Sequence, residues 1–391
     1  MRMILLTWDY HGQARVADAF ARLGYQAELL PIDPTDITAN PAFRARLTDL
    51  LREGKQRQDP FLFVFSHDFF PVAAEVCEAE QIPYLSLVYD SPHYSLTSPA
   101  IDNGMSRAYV FDRGLLAELA ASGITAPRHA LLSVDPGMAE QTAALSDLPY
   151  AHDVSFIGTL YQSEYVFYNQ IKYLPPALHG YLDGVIKAQE QVFGYDMIGD
   201  PAVVPEKKIE EMAGYVQFDL TGEYRLRPAD LLRDILRKKV TSVERSNILA
   251  RLGRAFPVDL YTTPTSVAPA GVRNLGYADY DREMPRIFHR SRININITLR
   301  TIRTGIPLRA MDIMACGGFL LSDYREELAE FFTDGEDLAL AHTPEEFAEL
   351  TAYYLEHEEE REAIARNGQR KVLENYTHDK VFARMIAESV G

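Results

Sequence analysis

Up to residue 134 the chain alternates short apolar runs with segments whose apolar positions recur every three or four residues. "MILLTW" predicts a buried strand. "ARVADAFARLG" after it predicts a helix with Val16, Phe20 and Leu23 on one face and Gly24 at its end. "QAELLPI", "PFLFVFS", "YLSLVY", "RAYVF" and "HALLSV" predict further strands, with the helices "AFRARLTDLLREG", "PVAAEVCEAEQ" and "GLLAELAASG" between them. Short apolar strands alternating with amphipathic helices predict a parallel sheet covered on both faces. That is a Rossmann-like α/β domain, with its working loops at the C-terminal ends of the strands.

"DVSFIGTL" at Asp153–Leu160 opens a second unit. The stretch 162–250 is mainly helical and punctuated by prolines at 175, 176, 201, 205 and 228. Alternation then resumes with "PVDLYT", "VRNLGY", "RININIT", "GGFLLSD" and "LALAH". Helices are expected over 281–291, 307–316, 325–332 and 344–356, and a last helical stretch over 359–389. The expected organisation is a domain over 1–150, a second over 151–374 and a terminal segment over 375–391. Two such halves with a cleft between them would bind ligands beyond the strand C-termini.

Composition narrows the class. A chain of 391 residues exceeds one ordinary core. With 47% hydrophobic and 24% charged residues it is globular and not disordered. A formal net charge of −17 argues against nucleic acid or an anionic membrane as partner. Cys77 and Cys316 are too few and too far apart for a disulfide framework or a zinc site, and fit a reducing compartment. The start "MRMILLTWDYHGQ" lacks the length and cleavage site of a signal peptide, and no apolar run approaches the roughly 18 residues of a membrane span. A cytoplasmic protein is expected.

Against that acidic background Arg292, Arg300, Arg303 and Arg309 gather in one region. Arg300 and Arg303 are expected just past the strand "RININIT". "TGIPLRAMDIMACGG" then runs from a loop into a helix beginning near Pro307 and ended by Gly317 and Gly318. Such a loop offers backbone N–H groups to a phosphate, and arginines at its edge add bidentate contacts. Arg309 and Asp312 share a helix face, so the guanidinium can serve phosphates while the carboxylate accepts the hydroxyls of a ribose. The plainer alternatives are a surface ion pair and ordinary helix termination.

Asp279-Tyr280-Asp281 resembles the acidic triplet of metal-dependent sugar transferases. Asp281 is nevertheless expected to cap a helix that buries Met284, Ile287 and Phe288, and no metal site is assigned. In the first half "TWDYHG", "FSHDFF" and "VYDSPHY" place Asp9, His11, His67, Asp68, Asp90 and His93 after strands. Asp68, Asp90 and His11 are candidates to take a hydroxyl proton, each with turn capping as its alternative. Nucleophile-elbow, P-loop and GxGxxG motifs are absent, which weighs against hydrolase, P-loop and dinucleotide oxidoreductase chemistry.

"GIPLRAMDIMACGGFLLSDY", "DGEDL", "IARNG" and "YTHDKVFARM" resemble the C-terminal glycosyltransferase domain of the CgeB-like, spore-maturation group. "IPYLSLVYDSPH" and "HDVSFIGTLY" resemble that group's N-terminal half and the opening of its second domain. The resemblance implies a GT-B fold of two facing Rossmann-like domains with a central cleft, the N-terminal one on the acceptor side. It implies a nucleotide-diphosphate sugar as donor, a UDP-sugar before others, held mostly by the C-terminal domain, with neither metal nor cofactor. The implied donor set is Asn296, Arg300, Arg303, Thr304, Gly305, Ile306, Arg309, Asp312, Gly317 and Gly318. Arg309 also stabilises the leaving diphosphate, and Asp312 stands where related enzymes bind the donor ribose. Retaining members of the wider fold often carry a glutamate where this chain has Thr304, so the stereochemical outcome stays open. A polysaccharide, a protein or a small molecule is the acceptor, and the helix 375–389 is expected to cross back to the N-terminal domain. A nucleotide-sugar epimerase of the same fold and a non-catalytic nucleotide-sugar-binding protein are the alternatives.

Overall fold

The apolar runs become strands close to where the pattern puts them. The computed structural model of the chain describes residues 1–8, 12–162, 168, 173–218 and 224–390. Its contacts divide the chain into two units. The first comprises Met1–Asp135, Leu220–Leu226 and Asn375–Gly391, and the second Pro136–Asp219 and Arg227–Glu374.

In the first unit the strands are β1 (Arg2–Thr7), β2 (Gln26–Pro31), β3 (Phe61–His67), β4 (Tyr84–Val88), β5 (Ser106–Val110) and β6 (Arg128–His129). They form one parallel sheet in the order β2-β1-β3-β4-β5-β6. β4 is buried at every position, because helices cover both faces. "HALLSV" joins the sheet only through its start, and its end bridges Thr377 through Val134. Leu131, Leu132 and Val134 fill the core beyond the sheet instead. The helix His378–Ser389 packs within this unit. Phe382 stacks on Phe20 at 4.9 Å between ring centres, and Arg22 grips Asp379 with two nitrogens at 2.8 Å.

The second unit adds β7 (His152–Ile157), β8 (Val258–Tyr261), β9 (Val272–Asn274), β10 (Ser291–Asn296), β11 (Leu320–Asp323) and β12 (Ala339–Ala341). Their order is β12-β11-β10-β7-β8-β9, again all parallel. Between β7 and β8 the helices Pro176–Glu190, Glu206–Ala213 and Pro228–Gly253 form their own apolar cluster around Leu182, Ile209, Leu232 and Leu236. The prolines open these helices: Pro176 and Pro228 sit in first turns, and Pro205 stands just before one.

Two expectations need correction. The last helical stretch consists of two helices, Glu358–Asn375 and His378–Ser389, so the terminal helix begins at His378 and not at 375. Asp281 does not cap Met284–His289; the Asp279 carboxylate does the local work, accepting from the N–H groups of Asp281 and Arg282. Among the described residues no helix is long and apolar enough to cross a membrane.

Strand order reverses between β1 and β3 in the first sheet and between β7 and β10 in the second. Such switch points open a crevice at the strand C-termini, where ligands of open α/β sheets bind.

Candidate active site

At the second switch point Gly158 follows β7 directly. A Cβ at that position would lie 2.5 Å from Nη2 of Arg309, so only glycine lets the guanidinium rest on the backbone there. Arg309 extends from the first turn of the helix Leu308–Ala315. Its Cζ stands 5.4 Å from the Phe156 ring centre, and Nη1 makes a long bond of 3.4 Å to Asn296 Oδ1. Arg245, from the helix Pro228–Gly253, lies at the same 5.4 Å from that ring. It donates to the Thr159 carbonyl at 2.6 Å and to the Ile297 carbonyl at 3.0 and 2.7 Å, which ties the ends of β7 and β10 together.

Two guanidiniums therefore flank one aromatic ring, and among the described residues neither closes a salt bridge with a carboxylate. Burial first, and then the charge of Arg245, pull Arg309 down to about 9. Burial likewise lowers Arg245. Like charges held together away from water favour an anion beside them.

Asp312 lies one turn along the same helix, 3% exposed, and its Oδ2 accepts from the Tyr280 hydroxyl at 3.1 Å. Arg309, Asp312 and Tyr280 share a cavity of about 300 Å³ with Gly158, Thr159, Thr262 and Tyr277. No side chain caps the helix start after Pro307, and Leu308 and Arg309 of its first turn line the same cavity. A buried cation pair, a positioned carboxylate and tyrosine rings thus line one concavity at the lower end of the usual small-molecule size range.

The other predicted residues go elsewhere. Arg300 does not meet the cavity: it is 4% exposed and locked to Glu244 by bonds of 2.8 and 2.9 Å, with its own N–H on Thr241 Oγ1. Arg303 turns to the Thr301 carbonyl and to Asp234. Both correct the expectation of phosphate grips, because in a low-dielectric interior each finds a carboxylate. Thr304 Oγ1 donates to Glu327 at 2.8 Å, fixing the loop that Gly305 and Ile306 carry, buried, into Pro307. Asn296 is fully buried; its amide bonds Thr298 and Ser322 while its oxygen faces Arg309. Gly317 and Gly318 sit past the C-terminal end of the helix, at the opposite end from Arg309. There Gly317 adopts a φ of +71°, and a Cβ on Gly318 would press within 2.6 Å of the Phe288 carbonyl.

In the first unit the loops after β3 and β4 bring Asp68 and Asp90 together with His93. Their ligating atoms all lie within 4.8 Å of one another. Among the described residues this is the single group of three potential metal-ligating side chains, and Asp279 and Asp281 are not in it. Asp68 is buried with a φ of +58°, and its Oδ1 accepts from the Tyr89 N–H at 2.9 Å and lies 3.9 Å from His93 Nδ1. A left-handed conformation at a non-glycine residue stores strain. His11 lies outside the described residues.

Sequence reasoning overlooked Gly158, Arg245, Thr262 and the link from Tyr280 to Asp312. A glycine directly after an apolar strand was a signal for the first. Arg245 gave none, sitting in what reads as an ordinary amphipathic helix.

Residues 237–387 match the model of a family described as glycosyl transferase-like. No curated protein sequence matches the chain. Among solved structures, the chain is similar to HepE from Anabaena in complex with UDP-glucose, at 12% identity and a TM-score of 0.52, with 99% of each chain covered. It is also similar to sucrose-phosphate synthase from Thermosynechococcus elongatus, at 11% and 0.53, covering 99% of this chain and 98% of that one. A third likeness is to AviGT4, a glycosyltransferase involved in avilamycin A biosynthesis, at 12% and 0.51, covering 100% and 97%. At such identities the likeness is one of fold, and the fold is GT-B, with its two six-stranded parallel sheets. With the family match over 237–387, the chain is an enzyme of the glycosyltransferase class.

Proposed function

We propose that the protein moves a sugar from a nucleotide-diphosphate sugar to an acceptor hydroxyl, without a metal ion. The observation that carries this reading is the Arg245–Arg309 pair over Phe156, with Asp312 one helical turn away in the same cavity. A UDP-sugar is the first choice of donor, supported by the UDP-glucose bound to HepE.

Breaking the bond between the sugar and the diphosphate puts negative charge on the departing oxygen. Arg309 and the first turn of its helix already line the cavity, so no reorganisation is needed as the charge appears. Two buried guanidiniums supply the positive charge a metal would otherwise bring. Asp312, pinned by Tyr280, accepts the ribose hydroxyls. The acceptor oxygen bonds to the sugar carbon as the diphosphate leaves, and its proton passes to Asp68 or Asp90, the carboxylates gathered with His93. His11 remains a candidate for that proton from its place in the sequence. Arg300 and Arg303 serve indirectly, by holding the loop that ends at Pro307. Kinship to the CgeB-like group, a cytoplasmic setting and a polysaccharide, protein or small-molecule acceptor belong to the same reading.

Thermal-shift measurements with UDP, GDP, dTDP and CDP test it. One nucleotide should stabilise the wild type clearly and lose that effect in a folded Asp312→Ala variant. No shift with any nucleotide in the wild type would remove the transferase reading.

A further inference from the structure

The second unit holds another cavity, of about 610 Å³, that the chemistry above leaves unused. Asp281, Arg282, Glu283 and Arg286 line it from the helix Met284–His289 and the turn before it, and Gln141 lines it from the helix Gly137–Ala143. Tyr261, the last residue of β8, lines it too and also borders the cavity of Arg309 and Asp312. The two cavities therefore adjoin at one residue. A chain of bonds fixes that residue. Its hydroxyl bonds His152 Nε2 at 3.2 Å, and His152 Nδ1 meets Asp259 at 2.6 Å. Arg273 grips the same carboxylate at 2.7 and 2.9 Å.

Charge says what the second cavity can hold. Among the described residues its lining carries two guanidiniums and two carboxylates. An anion is repelled by one pair and a cation by the other, so neither gains on balance. Ile287 is the one aliphatic side chain among them, and an apolar ligand gains little there. What remains is a neutral ligand dense in groups that both donate and accept. Neighbouring sugar hydroxyls are such groups, and the flat ends of arginine, carboxylate and glutamine side chains bond them in pairs. Arg282 and Arg286 are uncommitted: among the described residues their guanidiniums make neither a hydrogen bond nor an ion pair. Arg290, one turn on, is by contrast held by the Pro149 carbonyl at 3.2 and 3.0 Å.

We propose that this cavity is a binding site for neutral carbohydrate, and that it holds a length of the acceptor's sugar chain beside the donor site. Arg282 and Arg286 donate to the sugar hydroxyls, and Asp281 and Glu283 accept from them. At twice the volume of the cavity next to it, the site has room for more than one sugar ring. Among the acceptor classes it selects a glycan chain over a protein or a small metabolite. That second half of the inference rests on the transferase reading given above; the carbohydrate site itself does not.

Calorimetric titration of the full chain with maltotriose, cellotriose, mannotriose, galactotriose and trigalacturonate tests it, on wild type, Arg286→Ala and Gln141→Ala, with UDP titrated in parallel. At least one neutral trisaccharide should bind the wild type, and equally well when UDP is saturating. Arg286→Ala should weaken it about 10-fold or more, as loss of charge-assisted hydrogen bonds does, and Gln141→Ala about 3- to 10-fold. Both side chains are exposed and lie outside the donor cavity, so UDP affinity and melting temperature should not move. If no neutral trisaccharide binds while UDP does, the site is overturned and the donor reading stands. A trisaccharide that both variants bind as tightly as wild type, or that UDP displaces, sits elsewhere and overturns it too. Trigalacturonate binding more tightly than galactotriose would overturn the neutral assignment. A trisaccharide bound without any binding of UDP would keep the carbohydrate site and remove the donor reading. For the acceptor half, longer chains of the sugar that binds should show a lower KM for transfer from UDP-glucose in wild type and not in Arg286→Ala. The same trend in both proteins, or no transfer to the sugar that binds, would overturn that half.

Discussion

The two units are built on nearly the same plan, six parallel strands under helices with one switch point each, yet they bury opposite things. The first buries neutral imidazoles. His67 and His378 are both pushed well below the usual histidine range by burial, and carboxylates stand at the sheet's working edge. The second buries guanidiniums. Arg237, Arg245, Arg300 and Arg325 are each at most 4% exposed, three of them on carboxylates and Arg245 on carbonyls beside Arg309. Topology sets where a site can be, and the buried charges set what it can hold.

The sharpest way to break this contrast is to leave one of those charges alone. Arg300→Ala strands Glu244, which is fully buried, and should cost about 3–5 kcal/mol in the second unit. Trp8 is the single tryptophan and belongs to the first unit, so its fluorescence reports that unit separately. Urea unfolding followed by circular dichroism should shift while the Trp8 transition stays. Equal shifts in both signals would mean that the units melt as one.

Next in size, Arg309→Ala should lower turnover by about 10²- to 10³-fold, and donor affinity by much less, because the charge it meets grows as the bond breaks. Steady-state kinetics with equal losses in both would make Arg309 a binding residue only.

The first unit should answer to pH instead. His378 sits at about 3 in the fold against an ordinary 6.5. The unfolded chain therefore binds more protons between those values, and stability falls as pH drops through that window. From pH 7.5 to 5 this group contributes a loss of about 2 kcal/mol. Trp8-monitored unfolding should show the loss, and His378→Gln should reduce it; an unaltered pH profile in the variant would acquit this histidine. The smallest effect expected is none. EDTA should leave activity unchanged, and a magnesium-reversible loss would assign a cation to Asp68, Asp90 and His93.

Much of the fold was legible because it rests on local patterns. "RININIT" and "VDLY" announce strands through their own composition, and Pro307 announces a helix start. The candidate site was legible only in part. Arg309 and Asp312 share a helix face within one short window, so their cooperation could be read directly. The fates of Arg300 and Arg303 depend on Glu244 and Asp234, which lie 56 and 69 residues away along the chain. No window around "LRTIRTG" contains those carboxylates, and an arginine read without its partner looks available. Arg245 was hidden for the converse reason: its partners are backbone carbonyls of Thr159 and Ile297, which every sequence has and none displays.

The helix His378–Ser389 has a consequence for synthesis. The first unit leaves the ribosome first but is completed last, because Phe382 covers Phe20 and Phe65 only after the whole second unit has been translated. At about 5–20 residues per second that interval is roughly some tens of seconds. During it a nascent chain presents an uncovered aromatic surface, a natural substrate for ribosome-associated chaperones. Mutations that weaken the last helix should therefore show first as lost yield in the cell, before any change in the chemistry of the mature protein.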